Sequence, residues 1–364
     1  MKNCGDIEGL IEKADGLREK AKYGVSLKLY KKALSLSKRK GDPEAVLISN
    51  IGVADVNRMT GNFEAAVKHY GEAIDMCQAL ETPLVEADCM VGMGLSLRAL
   101  GLWKDAVKFM TAARKVYRRA KDKSGTAFSI WAEAGALRVE GNISGAIRKF
   151  QEAHALFSSI KFKSGIAYTL CGLGGSHRMA GLYKESFDYY TRANRMFREL
   201  KDRFGTAYSH CGMGNAFRMT GNYNDAIKHF RQAERLYEDI GDIVSYSYTL
   251  WSFANVYKMK GDLLPARELL KKARRNFKKT RDPRGIIYCN LTLGEMEYMK
   301  GKSGRAEKLF RLALKEAVAR GFKLETCHAR MLLAVMAGGP SKTLSCYGRL
   351  GVRTMPSGIP CNMP

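Results

Sequence analysis

The chain has 364 residues, of which 46% are hydrophobic and 27% are charged, and its 61 basic and 36 acidic residues give a net charge of +25. These proportions exclude a disordered chain, because they supply ample material for a core. No segment approaches the roughly 20 uninterrupted apolar residues of a membrane span, and residues 1–15 lack the apolar centre of a secretion signal. We therefore expect a cytoplasmic protein that does not enter a membrane.

Cysteine, histidine and motif content argue against a metal site and against catalysis. The nine cysteines are an odd number without a CxxC pair, so we expect reduced thiols and no disulfide framework. The six histidines have no recurring partners at metal-ligand spacing. The sequence has no G-x-x-x-x-G-K-[ST], H-E-x-x-H or G-x-S-x-G motif. We therefore predict that the protein is not an enzyme and carries no cofactor or metal.

From residue 41 to residue 320 the chain repeats itself every forty residues. Small and apolar residues follow each repeating glycine at helical spacing, and a second small position precedes it. The glycines are Gly61, Gly101, Gly141, Gly181, Gly221, Gly261 and Gly301. Each repeat is therefore predicted to be a helical hairpin whose glycine ends the first helix in the left-handed conformation. Asn62, Asn142, Asn222 or Asp262 is expected to cap the second helix.

The segments on either side of these seven repeats complete the predicted organisation. Residues 1–40 read as a degenerate N-terminal repeat with Tyr30 and Ala33 in register. Residues 321–339 read as an amphipathic helix that caps the open end of the stack. Residues 340–364, which we call the tail, lack a helical period and are predicted to be a flexible Gly- and Pro-containing arm. Because the tail has no acidic residue, we expect it to stay off a positively charged groove.

The repeat resembles the tetratricopeptide repeat, most clearly at Met213-Gly214, Phe217, Gly221-Asn222-Tyr223, Ala226, Phe230 and Ala233. Its forty-residue length is similar to the long-helix class of kinesin light chains, spindle-orientation adaptors and bacterial pheromone receptors. The resemblance implies an all-α, right-handed superhelical solenoid of stacked hairpins. We predict at least fourteen helices between residues 41 and 320 and no sheet. The family's opening tryptophan is usually absent here, and its closing proline appears only as Pro43, Pro83 and Pro283.

The resemblance also implies that the first helix of each hairpin lines a concave groove that binds extended peptides. A row of basic residues falls three positions before the turn glycines, beside an aromatic row and a middle row. The predicted ligand-binding residues are Arg58, Arg98, Arg138, Arg178, Arg218, Lys258, Tyr168, Tyr208, Tyr248, Tyr288, Asn215 and Asn255. Phe128 extends the aromatic row, and Gly135, Gly175 and Glu295 complete the middle row.

Guanidinium forks in this arrangement favour carboxylates or phosphates as ligands. Alternatively, each arginine pairs with a nearby acid such as Asp55, Glu133 or Glu140, and the tyrosines are packing residues. We therefore predict a protein–protein interaction adaptor that binds an acidic or carboxylate-terminated peptide segment. The alternative is RNA or single-stranded nucleic-acid binding through the arginine and tyrosine rows. Self-association of the solenoid ends is a third option.

Overall fold

Helices make up all of the regular secondary structure in the described part of the chain. The computed structural model describes residues 5–339, 344–353 and 358–363. The first eight helices are α1 (Gly5–Glu19), α2 (Tyr23–Lys40), α3 (Pro43–Met59), α4 (Phe63–Ala79), α5 (Pro83–Ala99), α6 (Trp103–Arg119), α7 (Lys123–Glu140) and α8 (Ile143–Ser159). The remaining ten are α9 (Lys163–Met179), α10 (Tyr183–Glu199), α11 (Arg203–Met219), α12 (Tyr223–Ile240), α13 (Ile243–Lys260), α14 (Leu263–Lys279), α15 (Pro283–Met299), α16 (Ser303–Ala319), α17 (Lys323–Met336) and α18 (Leu344–Arg349).

Successive helices pair into eight hairpins, which we number from hairpin 1 (α1 and α2) to hairpin 8 (α15 and α16), and each hairpin packs on the next. The fourteen predicted helices between residues 41 and 320 are α3 to α16, so the all-α solenoid is confirmed. Helix α17 packs on α16 beyond the last hairpin, and the short α18 packs on α17. None of the described helices is long and apolar enough to cross a bilayer.

The turns inside the hairpins follow the predicted chemistry only in part. All seven repeating glycines have φ between +73° and +99°, which confirms their left-handed conformation. Only Asn142 caps its helix, by accepting a hydrogen bond from Gly145 N at 3.0 Å; the predicted caps at Asn62, Asn222 and Asp262 are not formed. The main capping aspartates instead lie between hairpins and start first helices: Asp42, Asp122, Asp202, Asp242 and Asp282.

Hairpins stack through one bulky side chain on each second helix. The Tyr190 ring packs against Gly174 of its own hairpin and against Gly212 of the next, where an added Cβ would lie 2.9 Å and 2.2 Å from ring atoms. The residue at the corresponding position on the next hairpin is small, and it is glycine in four of the seven pairs. The pairs are Tyr30 with Gly52, Tyr70 with Gly92, Met110 with Ala132, Phe150 with Gly172, Tyr190 with Gly212, Phe230 with Ser252 and Leu270 with Thr292.

The superhelix curves far enough for successive coils to touch. The turn at Gly61 contacts Val244 and Thr280, and the turn at Gly101 contacts Phe322. Trp103 Nε1 donates to Arg320 O at 3.1 Å. Ion pairs between Arg281 and Glu64 and between Lys323 and Glu140 also join these coils. The turns of hairpins 2, 3 and 4 thus contact the start of the fifth hairpin after them or the start of α17, and the coils pack against each other around the concave face.

The described parts of the tail, residues 344–353 and 358–363, pack against the solenoid, and residues 361–363 lie in the groove, contrary to the prediction that the tail stays off it. Its root is held by a disulfide between Cys327 of α17 and Cys346 of α18, whose Cα atoms are 5.9 Å apart. The expectation that all cysteines are reduced is therefore wrong for this pair. Arg353 N then donates to Ala180 O at 2.8 Å, and residues 361–363 contact Arg218 and Lys258. Residues 361–363 bind there without an acid because neutral oxygens accept from the basic side chains, namely the main-chain oxygens of Cys361 and Met363 and the amide oxygen of Asn362.

Candidate functional site

The enclosed concave face contains a cavity of about 280 Å³ that brings together half of the predicted basic row. Arg98 of α5, Arg138 of α7 and Arg178 of α9 line one side of it. Tyr208, Asn215, Tyr248 and Tyr288 from the predicted rows also line it, together with Trp251 of α13. We call this space the arginine cavity. Arg58, Arg218, Lys258, Tyr168 and Asn255 are not among its lining residues.

Glycines of the middle row make room for the guanidinium groups. An added Cβ on Gly135 would lie 2.1 Å from Nη1 of Arg98, and one on Gly175 would lie 2.5 Å from Nη1 of Arg138. Each of these arginines therefore lies over the first helix of the following hairpin. Arg138 also lies 5.7 Å from the Phe150 ring centroid and donates to Gly172 O at 3.5 Å. A residue larger than glycine would not fit at either position, because its Cβ would overlap a guanidinium group.

The arginine cavity holds positive charge without matching acids. Among the described residues, neither Arg98 nor Arg178 forms a side-chain hydrogen bond or an ion pair, and Nε and Nη1 of Arg178 are buried without a partner. Burial, reinforced by the charge of Arg138, lowers the pKa of Arg98 to about 10. Leaving such donors unmatched costs free energy that a bound anion would recover.

The acidic groups near the cavity are already engaged. Asp282 caps α15 through Gly285 N at 2.9 Å and accepts from the Tyr248 hydroxyl, also at 2.9 Å. Glu325 of α17 accepts from Arg284 Nε at 2.6 Å and from the Tyr288 hydroxyl at 2.7 Å. Arg284 is thus neutralised by Glu325. Among the described lining residues, one carboxylate, that of Asp282, remains against three arginines.

The end of the basic row has a different environment. Arg218 and Lys258 are 0% exposed, and both donate to the tail. Lys258 Nζ lies 2.7 Å from Glu295 Oε2, and this pair is fully buried. Burial, followed by the nearby charge of Arg178, lowers the pKa of Arg218 to about 9. Arg58, at the other end of the row, donates to Asp55 and to the Tyr70 hydroxyl, as the alternative acid-pairing interpretation anticipated.

The aromatic and asparagine residues are held by contacts within the protein. The hydroxyls of Tyr168 and Tyr248 donate to the capping aspartates Asp202 and Asp282 of the next hairpin, at 2.8 and 2.9 Å. Tyr208 stacks on Phe204, and exposed Phe128 stacks on Trp131. Asn215 accepts from Arg218 Nη2 at 3.1 Å. Asn255 donates to Trp251 O at 2.9 Å, and its buried Oδ1 has no partner.

Sequence reasoning missed the pairing rule that links two of the rows. Three of the basic residues contact the middle-row residue 37 positions later: Arg98 lies over Gly135, Arg138 over Gly175 and Lys258 beside Glu295. A glycine leaves the cation unpaired, whereas the glutamate neutralises it. Reading the two rows at this offset would have identified Glu295 as the partner of Lys258. The neutralising acid Glu325 lies outside the rows, so no periodic signal identifies it.

A second depression is larger but lacks comparable chemistry. It measures about 610 Å³ and lies open between α5 and α6 on the outside of the superhelix, where Met90, Val107, Lys108 and Lys115 line it. Its cations are solvated surface side chains. Among the described residues, no group of three histidine, cysteine or acidic side chains is placed to hold a metal ion. The arginine cavity is therefore the candidate site.

Comparisons with known proteins agree with this architecture. The tetratricopeptide repeat family model matches residues 165–239. No curated protein shows significant sequence similarity to the chain. Among solved structures, the Rap conjugation gene regulator of plasmid pLS20 in complex with the Phr* peptide has a TM-score of 0.67 at 12% identity, covering 86% of this chain and 95% of its own.

Two further structures share the fold over nearly their full lengths. NprR in complex with its cognate peptide NprX has a TM-score of 0.61 at 18% identity, covering 95% of this chain and 98% of its own. A Rap protein complexed with Competence and Sporulation Factor has a TM-score of 0.60 at 12% identity, covering 93% and 99%. With the forty-residue period and the stacked hairpins, these similarities identify the chain as a repeat protein of the tetratricopeptide type.

Proposed function

We propose that this protein binds an extended peptide segment of a partner in its concave groove, and that Arg98, Arg138 and Arg178 receive a carboxylate of that peptide. The observation that carries the proposal is the set of unpaired guanidinium groups in the arginine cavity. Arg178 has two buried nitrogens without partners, and no described acid pairs with Arg98. Structures of similar fold have been determined in complex with peptides, which supports a peptide as the ligand class.

The chemistry of the cavity favours a carboxylate as the anchoring group. A planar guanidinium donates two parallel hydrogen bonds to a carboxylate, and such charge-assisted bonds are about twice as strong as neutral ones. The apolar and aromatic side chains around the arginines, including Trp251 and Tyr208, exclude water and strengthen each contact. An aspartate or glutamate side chain, or a peptide C-terminus, would supply the carboxylate. The ligand is therefore an acidic or carboxylate-terminated segment.

Nucleic acid is the weaker alternative. A single strand needs exposed aromatic faces and a continuous basic surface. Here the hydroxyls of Tyr168, Tyr248 and Tyr288 bond to acids of the following repeat, and the coils enclose the cavity. These contacts favour a slender peptide with one anchoring charge. We propose an adaptor role without catalysis, because the groups found in the cavity bind anions and include no paired nucleophile and base.

The test begins with a random heptapeptide display library selected on the full chain. Binders are resynthesised with free and with blocked carboxyl groups, and affinities are measured by fluorescence polarisation. Arg178→Met keeps the apolar stem and removes the charge, and Arg178→Lys keeps the charge without the fork. Each substitution is expected to lower the affinity for peptides with free carboxyl groups about 10- to 100-fold, because it removes a charged hydrogen bond that contributes about 1.5–3 kcal/mol.

The control is Arg275→Met, which removes an exposed charge from α14. It should leave peptide affinity unchanged. Equal losses in Arg178→Met and Arg275→Met would show a general charge effect and contradict the assigned site. A salt titration with single-stranded RNA tests the alternative, since RNA binding that remains tight near physiological salt would favour nucleic acid.

A further inference from the structure

The end of the groove beside the arginine cavity is occupied by the tail. Cys361 N donates to Glu295 Oε1 at 2.5 Å, and Cys361 O accepts from Lys258 Nζ at 2.7 Å. Both main-chain polar groups of Cys361 are thus bound by the buried Lys258 and Glu295 pair. This is how a groove recognises an extended peptide independently of most of its side chains.

The next two residues add side-chain contacts. Arg218 Nη1 donates to Asn362 Oδ1, Asn362 Nδ2 donates back to Arg218 O at 2.8 Å, and Arg218 Nη2 donates to Met363 O at 2.8 Å. Met363 is 0% exposed and belongs to the apolar cluster that contains Trp251. The tail therefore supplies a backbone contact, a carboxamide and an apolar anchor in successive residues. These are contacts that an external peptide chain could also make at this end of the groove.

We propose that Arg218, Lys258 and Glu295 form a peptide-binding subsite, and that residues 361–363 occupy it as an intramolecular ligand. The inference rests on the proposed function, because it treats the tail as a stand-in for a partner segment. The subsite accepts an extended peptide with an amide side chain followed by an apolar residue. A partner that carries a carboxylate for the arginine cavity and this pattern for the subsite must displace the tail to bind both.

The tail holds the subsite because it is tethered. The disulfide between Cys327 and Cys346 fixes α18 to the capping helix, and Val352 and Tyr347 are buried beside the groove. An intramolecular segment on a short tether has an effective concentration in the millimolar range. The same sequence supplied as a free peptide is therefore expected to bind weakly, and a displacing partner must bind more tightly than the tail does.

Cys361 provides a direct readout of tail docking in the full chain. Its thiol is 1% exposed, and burial raises its pKa, so the docked residue is protected from alkylation. Met363→Asp places a charge in the apolar position and leaves the solenoid unaltered. We expect this variant to alkylate at Cys361 at least tenfold faster than the parent chain under iodoacetamide, as measured by peptide mass spectrometry without reductant. Cys289, which is buried in α15, is the internal control and should remain protected.

Four outcomes separate this inference from the proposed function. If Cys361 of the parent chain reacts as fast as it does in the isolated peptide GIPCNMP, the tail does not occupy the subsite and the inference is wrong. If Cys361 is protected and selected peptides accelerate its alkylation and bind Met363→Asp at least tenfold more tightly, the inference is supported. If peptides bind but leave the alkylation rate unchanged, the proposed function stands and the competition does not. Absence of any peptide binder to either chain would refute both, even with a docked tail.

Discussion

Substitution of Gly172 tests how the hairpins stack. Gly172 lies on α9 beneath the Phe150 ring of α8, and an added Cβ would lie 2.4 Å from Cε1 of that ring. Favourable contacts between carbon atoms begin near 3.5 Å, so the buried ring would have to move by about 1 Å. Such overpacking costs about 1–3 kcal/mol, while alanine recovers up to about 1 kcal/mol of helix propensity. Gly172→Ala should therefore lower the free energy of unfolding by up to about 2 kcal/mol.

A glycine with free space around it supplies the matched control. Gly71 lies in the middle of α4, and the nearest atom to an added Cβ is Met93 Cε at 3.7 Å, an ordinary contact. Gly71→Ala should therefore raise the free energy of unfolding by up to about 1 kcal/mol. The same substitution is thus expected to lower the free energy of unfolding at one helical position and to raise it at the other.

A compensating change tests whether the ring causes the cost. One repeat earlier, Met110 and Ala132 occupy the positions of Phe150 and Gly172. Phe150→Met is a nearly volume-conserving swap with a cost below about 1.5 kcal/mol, and a flexible thioether can yield to the added methyl group. The double variant should be at least about 1 kcal/mol more stable than the sum of the single effects predicts.

Urea unfolding followed by far-ultraviolet circular dichroism measures the stabilities of these four variants. Hydrogen exchange in α8 and α9 measures the local effect, because repeat arrays can unfold in segments. Equal stabilities of Gly172→Ala and Gly71→Ala, or strictly additive losses in the double variant, would refute the proposed stacking.

Three other predictions follow from buried or long-range contacts. Lys258→Met leaves Glu295 buried without its cation, so we expect it to lower the free energy of unfolding measured in urea by about 3–5 kcal/mol. Adding Glu295→Gln should recover part of this loss, and fully additive effects in the double variant would contradict the coupling. Burial lowers the pKa of His328 to about 4, below its unfolded value near 6.5, so stability should be lost as pH falls through this window, by on the order of 2 kcal/mol at pH 5. Unfolding measured at pH 7 and pH 5 should show this loss, and His328→Gln should reduce it. Trp103→Ala removes the indole bonded to Arg320 O, and we expect faster hydrogen exchange at residues 320–324 and a larger radius of gyration in X-ray scattering; unchanged values would show that other contacts hold the coils.

The features that could be predicted from the sequence are those that arise from local contacts recurring in each repeat. The left-handed turn at Gly221, the close contact at Gly214 and the apolar position of Phe230 recur every forty residues, and each acts on its neighbours. The helices and their stacking could therefore be predicted. Capping was wrong at Asn222, because an aspartate between hairpins can start a first helix equally well and the two possibilities look alike in sequence.

The candidate site was predictable only in outline. The periodic rows brought Arg98, Arg138 and Arg178 together in one cavity, as their spacing indicated. Periodicity carries no information about contacts between segments more than a hundred residues apart, such as the bonds from Arg218 to residues 362 and 363. Net charge also misled the prediction for the tail, because it counts acids and bases and ignores main-chain carbonyls.

Contact between the coils is expected to slow the binding and release of a ligand. The turn at Gly61 meets Val244 and the turn at Gly141 meets Leu324, so the coils touch at these two places beside the concave face. At these places a peptide can enter between the coils only when they part. We expect association well below the usual rates of protein encounters, and equally slow escape. The residence time of a bound peptide would then be set by how often the protein opens.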